Sequence, residues 1–83
     1  MRIKLPDYTK DEMKRIITQH IHSKRDRLLL YYKLIDNLTF LQIAGKTGIP
    51  VSTITTAYYP QFKKVAHILR REKLLEKTRK KPG

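Results

Sequence analysis

The most constraining feature of this sequence is the segment of residues 36–54, which carries the signals of two short helices joined by a tight turn. Thr39 and Gln42 form a capping box, which is a signature of a helix N-terminus. Gly48 stands where the chain must adopt a positive φ to leave that helix. Ala44 is a small residue at the point where the two helices would cross. Together, these features predict a helix-turn-helix.

Apolar periodicity predicts further helices on both sides of this motif. Thr9 and Glu12 form a second capping box, and Ser23 is placed to cap the amide near Asp26. Pro50 suits the first turn of a helix, because that turn does not need its missing amide hydrogen. The expected helices lie at about residues 9–21, from about 23 to 35, at about 40–47, and from 50–52 onward.

Pro60 interrupts the last of these helices, because a proline inside a helix removes one hydrogen bond. The helix is therefore expected either to stop at Tyr59 or to kink there. Beyond Pro60, an apolar face returns and then gives way to a basic C-terminal helix or tail. We expect residues 1–83 to form a single all-α domain of four to five helices that contains the helix-turn-helix.

Charge limits the class of partner. The chain has 19 Lys and Arg against 7 Asp and Glu, which gives a net charge of +12. Such an imbalance attracts polyanions such as nucleic acid or anionic lipid. The sequence has no cysteine and no run of the roughly 20 apolar residues that a membrane span requires. We therefore expect a cytoplasmic protein that does not span a membrane.

Catalytic and metal-binding residues do not form a recognisable set. His20 and His22 are two positions apart, so on a continuous helix they point in different directions, and no third ligand is evident. The sequence also has no nucleophile with an identifiable base and no glycine-rich phosphate loop. We expect neither enzymatic activity nor a metal or cofactor.

A set of polar, apolar and small residues recurs through residues 23–69, and it comprises Asp26, Arg27, Leu30, Leu34, Ile35, Asp36, Leu38, Thr39, Ile43, Ala44, Gly48, Ile49, Ser52, Thr53 and Ile54. In these residues the segment resembles the fourth conserved region of bacterial sigma factors and the small sigma-like proteins of phages and mobile elements. The resemblance implies that residues 51–59 form the recognition helix of a helix-turn-helix, which enters the DNA major groove. The chain has no segment that resembles the sigma region gripping the polymerase core, so we do not expect a complete sigma factor.

The expected recognition helix lacks Arg, Lys, Asn, Gln and Glu, the residues that make two-pronged contacts with base edges. Its candidates for DNA contact are Val51, Ser52, Thr53, Thr55, Thr56 and Tyr59. The alternative is that these hydroxyls lie on the helix surface and contact only phosphate or water. Lys63, Arg70 and Lys77 recur every seven residues and form a basic ridge, with Lys73 and Lys81 close to the same side. The ridge either contacts phosphates or is only the solvated side of the helix, and the alternative phosphate contacts are Lys46 and the cluster of Lys24, Arg25 and Arg27.

These observations favour non-catalytic binding of double-stranded DNA that regulates transcription in a bacterial, phage or mobile-element context. The alternative is a protein-interaction module that binds RNA polymerase or another regulator, which a neutral recognition helix supports. Binding of the basic last helix to a membrane surface is a less favoured function, because the apolar face of that helix is needed to close the core. The last helix leaves two oligomeric options open, packing on its own domain or pairing with another copy in a homodimer.

Overall fold

The computed structural model describes the backbone of residues 5–79 and the side chains of residues 5–75, and this part of the chain is all-α, without a strand. Three of its four α-helices are short, and the fourth is long. A π-helical turn extends the second helix. The elements are α1 (Lys10–His20), α2 (Lys24–Leu30), the π turn (Tyr31–Ile35), α3 (Phe40–Thr47) and α4 (Val51–Arg79).

The N-termini of the three short helices are capped by the residues that the sequence indicated. The Oγ1 atom of Thr39 accepts from the Gln42 amide at 3.1 Å, and the Gln42 side chain accepts from the Thr39 amide at 2.8 Å. Thr9 forms the same reciprocal box at the start of α1. The Ser23 side chain accepts from the Asp26 amide at 3.4 Å. The predicted capping boxes and helix starts are thus confirmed.

The core consists of two apolar clusters that share α4. The larger lies between α1, the end of α2, the π turn and the distal part of α4, and it includes Ile16, Leu30 and Leu69. The smaller joins α2, α3 and the first turn of α4 through Leu29, Ile43 and Ile54. Since α4 contributes to both clusters, one long helix connects the two halves of the molecule.

The π turn inserts one extra residue at the end of α2. The apolar periodicity of the sequence, at 3.6 residues per turn, did not predict this insertion. The Asp36 amide donates to the Tyr31 carbonyl at 3.1 Å, five residues back. The Leu34 carbonyl accepts a hydrogen bond from the Tyr8 hydroxyl at 2.9 Å. A side chain from outside the helix thus completes the hydrogen bonding of the turn.

Pro60 does not end α4, so of the two outcomes expected from the sequence, a stop at Tyr59 or a kink there, the stop is wrong. The buried face continues across the proline: Tyr58 and Phe62 stack with ring centroids 5.4 Å apart, and Val65 is fully buried. Packing on both sides of Pro60 offsets the missing hydrogen bond.

Candidate nucleic-acid interface

The turn between α3 and α4 is fixed by hydrogen bonds on both sides of Gly48. Gly48 has φ +74°, and its amide donates to the Ala44 carbonyl at 2.9 Å. The Thr47 hydroxyl donates to the Ile43 carbonyl at 2.8 Å and accepts from the Ile49 amide at 3.2 Å. The left-handed glycine that the sequence predicted is therefore present, and Thr47 further stabilises the turn.

Packing of α3 on α4 determines which side of α4 faces outward. Ile43 and Ile54 are fully buried against each other's helices, and Ala44 and Ala57 pack at the margin of the same cluster. The two alanines are the small side chains of this contact. Because the cluster holds one face of α4, the opposite face is turned away from the protein.

The outward face of α4 carries most of the candidate residues together. Ser52, Thr56, Tyr59, Lys63 and Arg70 are exposed and recur at intervals of three, four or seven, so they lie along one side of the helix. Thr53 is exposed beside this row, Val51 and Thr55 are half-buried at its margin, and Lys46 is exposed in the last turn of α3. A row of hydroxyls thus continues into a row of cations.

The hydroxyls of Thr55 and Thr56 are engaged within the helix itself. Both donate to the carbonyl of Ser52, at 3.0 Å and 2.8 Å respectively. A hydroxyl has one hydrogen to donate and two lone pairs to accept with. In this arrangement, each threonine offers lone pairs and a γ-methyl group to a partner rather than an O–H donor.

Tyr59 is a large aromatic residue that remains 49% exposed on the outward face. Its ring contacts Phe40 at 5.9 Å and Tyr58 at 5.3 Å between centroids, both edge to face. The Nζ atom of Lys33 lies 4.7 Å from the centroid of the Phe40 ring. Tyr59 is therefore held in place by aromatic neighbours while its exposed side is available to a ligand.

Arg25 joins this surface from α2. It lines an open groove of about 450 Å³ together with Ser52, Thr53, Thr56 and Ala57. The sequence indicated Arg25 only as one alternative in a basic cluster, since nothing in the pattern shows that the start of α2 approaches the start of α4.

A buried carboxylate orients Arg25. Asp26 is 7% exposed, and its two oxygens accept from the Nε atom of Arg25 at 3.3 Å and from the Nε2 atom of Gln61 at 2.9 Å. The contact with Asp26 uses only one of the five N–H donors of the guanidinium. Asp26 and Gln61 thus link α2 to α4 and position Arg25 at the edge of the groove.

Two basic residues that the sequence placed near phosphates are engaged elsewhere. Arg27 donates to the carbonyls of Ile21 and Thr18, so it satisfies the C-terminal end of α1. Lys73 pairs with Glu12 at 2.8 Å and is not part of the outward ridge. The side chains of Lys77 and Lys81 lie outside the described residues.

The electrostatics of the outward face follow from an uneven distribution of charge. No Asp or Glu occurs between Asn37 and Arg71, a stretch that includes Lys46, Lys63 and Arg70. The first carboxylate beyond it, Glu72, pairs with Arg15 of α1 at 2.6 Å. Positive charge on this face is therefore not offset by acidic residues of the same segment.

Comparison of the chain with protein-family models, curated proteins and solved structures found no significant match. Among the residues that the structure describes, no group of three or more His, Cys, Asp or Glu side chains is placed to hold a metal ion. Over the same part of the chain, no helix is both long and apolar enough to cross a membrane. The geometry and charge of the surface around α4 are consequently the features from which a function can be inferred.

Proposed function

We propose that the chain is a helix-turn-helix domain that binds double-stranded DNA without catalysing a reaction. The observation that carries this proposal is the outward face of α4, where exposed hydroxyls are followed by cations along one side of the helix. Residues 37–71, which include this part of α4, contain no acidic residue, so their positive charge can attract a polyanion without repulsion from carboxylates of the same segment. In this proposal, α3 and α4 are the two helices of the motif.

The mechanism is insertion of the start of α4 into the major groove. A groove about 12 Å wide admits a helix, and the packing of α4 on Ile43 leaves its opposite face available to base edges. Thr55 and Thr56 lie in the part that would face the bases. Tyr59 follows one turn later, and its fixed ring would contact sugar or base at the groove margin.

Phosphate contacts would be made on the flanks of the part of α4 that faces the bases. Lys63 and Arg70 continue the outward row of α4, and Lys46 lies at the end of α3. Arg25, oriented by Asp26, lines the groove beside Ser52 and Thr53. Together, these cations would fix the orientation of the helix along the duplex.

Regulation of transcription in a bacterial, phage or mobile-element context is the biological setting that the sigma-like residues suggest. A competing proposal is a protein-interaction module that binds RNA polymerase or another regulator. One observation favours it: Leu41, on α3, is 76% exposed and offers an apolar contact, while residues 51–59 of α4 carry no charge. The two proposals differ in whether DNA alone is sufficient as a partner.

Titration of labelled duplex DNA with two charge-matched variants tests the proposal. Lys63→Gln removes a cation from the outward face of α4, and Lys14→Gln removes an exposed cation from α1. We expect Lys63→Gln alone to weaken binding and to make the slope of log affinity against log salt shallower by about 0.9, the value for one lost phosphate contact. Fluorescence anisotropy at several salt concentrations measures both quantities.

Equal effects of the two substitutions would mean that binding depends on total charge, and the proposed docking face would be wrong. Absence of duplex binding even at low salt would refute the function itself. In that case, retention of purified RNA polymerase by the immobilised full chain would support the interaction module.

A further inference from the structure

Thr56, on the outward face of α4, and Thr55, at the margin of that face, present methyl groups and acceptors, not donors. Thr55 and Thr56 both donate their hydroxyl hydrogens to the Ser52 carbonyl. Adjacent residues do not supply a charged substitute, because residues 51–59 contain no Arg, Lys, Asn, Gln or Glu. Arg25, which lines the groove with Thr56, is oriented by the Asp26 carboxylate and is assigned to phosphate in the proposed docking. At Thr55 and Thr56 the face is therefore apolar and accepting.

Base pairs differ in how well they match such a surface. In the major groove, a G·C pair presents the guanine acceptors N7 and O6 and the cytosine N4 amino group, which donates, but no methyl group. An A·T pair presents the adenine N6 amino group, which donates, and the thymine C5 methyl group, which is apolar. The threonine lone pairs and γ-methyl groups can meet both of these features directly. Val51, half-buried at the margin of the face, adds further apolar surface.

From this geometry we infer that the face of α4 formed by Thr55 and Thr56 selects A·T base pairs by contact with the thymine methyl group. The inference rests on the proposed function, since it names the DNA that the same site prefers. It differs from recognition of guanine by Arg or Lys, because residues 51–59 contain neither of these side chains. The thymine methyl, rather than a hydrogen-bond pattern alone, is the feature that carries the preference.

Removal of that methyl group from DNA is the direct test. Duplexes of equal length and alternating sequence are prepared with A·T pairs and with A·U pairs, in which uracil lacks only the methyl group. A second set contains G·C pairs and G·5-methylcytosine pairs, which add a methyl group at the corresponding position. Competition titrations of the full chain at one salt concentration give the affinity ratio within each set.

We expect the A·T duplex to bind more tightly than the A·U duplex by about fourfold for each contacted methyl group, which corresponds to about 0.8 kcal/mol per buried methyl-sized group. The G·5-methylcytosine duplex is expected to bind more tightly than G·C in the same direction. Binding of all four duplexes with equal affinity would overturn the inference while leaving duplex binding intact. No binding to any duplex would refute the proposed function and this inference with it.

A pair of protein variants separates the methyl group from the hydroxyl. Changing both Thr55 and Thr56 to Ser keeps the hydroxyls and removes the γ-methyl groups, whereas changing both to Val keeps a methyl group and removes the hydroxyl. The ratio of A·T to A·U affinity should fall towards one in the Ser pair and persist in the Val pair. Circular dichroism verifies that both variants remain helical. A Ser pair that keeps the wild-type ratio would contradict the inference.

Discussion

Replacement of Gly48 by Ala is expected to destabilise the protein through the backbone alone. Gly48 has φ +74°, a conformation that an L residue rarely adopts, yet a Cβ atom added there would meet no atom within 4 Å. The left-handed conformation costs about 1–2 kcal/mol for a residue with a Cβ. Part of this cost is offset because Ala restricts the unfolded chain more than Gly does. We expect a net loss of about 1 kcal/mol.

Gly45 is the matched control for this substitution. A Cβ atom added at Gly45 would also meet no atom within 4 Å. Unlike Gly48, however, Gly45 lies within the regular helix α3. Gly45→Ala should stabilise the protein by about 0.5–1 kcal/mol, since Gly is unfavourable in a helix interior. The two substitutions have the same chemistry and the same free space. Their difference therefore isolates the backbone conformation of the turn.

Thermal and urea unfolding followed by circular dichroism measures both effects. For a domain of this size, 1 kcal/mol corresponds to a shift in Tm of about 4–8 °C. Gly48→Ala should lower Tm by that amount, and Gly45→Ala should raise it by a similar or smaller amount. Gly48→Asn should cost less than Gly48→Ala, because Asn tolerates the left-handed region. Equal shifts of the same sign for both alanine variants would refute the described turn.

Three further predictions concern the contact of α3 with α4, the buried tyrosine Tyr58 and the ion pair of Glu12. Ala44→Leu should destabilise the protein by about 1–3 kcal/mol, because the added methylene groups overpack the contact of α3 with α4. The control His22→Ala, at an exposed site, should leave urea unfolding unchanged. An Ala44→Leu variant as stable as the wild type would contradict the packing of α3 on α4. Burial raises the pKa of Tyr58 above its usual value of 10.0, so the unfolded chain loses this proton first and the free energy of unfolding should fall as the pH rises above about 10. Tyr58→Phe should make this alkaline loss smaller in urea titrations, and an identical loss in both proteins would exclude Tyr58 as its source. The hydrogen bond from Lys73 and, to a smaller extent, the hydrogen bond from the Thr9 amide lower the pKa of Glu12 below 4.5. The Glu12 carboxylate therefore contributes stability above pH 4.5, and this contribution is lost as the pH falls through the lowered pKa. Glu12→Gln should therefore show a weaker acid dependence of unfolding than the wild type, and the same dependence would argue against the ion pair.

Local signals allowed much of the fold to be predicted from the sequence. Thr9, Ser23 and Thr39 are caps that act on amides three residues away, so their role depends only on neighbouring positions. The left-handed Gly48 is similarly determined by the end of α3. These features fix where the short helices begin and where the turn occurs.

Features that depend on contacts between distant segments were not predictable. The continuation of α4 past Pro60 depends on packing of Tyr58 and Phe62, which local propensity does not contain. The π turn depends on the packing and hydrogen bonding of Tyr31–Ile35, including the bond from Tyr8. In both cases, tertiary interactions override the local preference of the chain.

The candidate site was predictable as a helix face but not as a surface. Periodicity places Ser52 and Thr56 on one side of α4, and the continuation of the helix past Pro60 brings Lys63 onto the same side. Spacing cannot show that Arg25 lies beside them or that Lys73 pairs with α1, because these contacts join segments far apart in sequence. The hydrogen bonds of Thr55 and Thr56 to the Ser52 carbonyl depend on side-chain rotamers, which a sequence pattern also leaves open.

The most direct test of the central claim is a map of the surface that duplex DNA contacts on the full chain. Backbone amide signals of the isotope-labelled protein are followed by nuclear magnetic resonance during titration with duplex DNA. We expect the largest shifts at the start of α4, from Ser52 to Lys63, and at Arg25, while the exposed α1 residues Lys14 and Thr18 change little. Shifts centred on α1, or spread evenly over all basic residues, would contradict docking of α4 in the major groove.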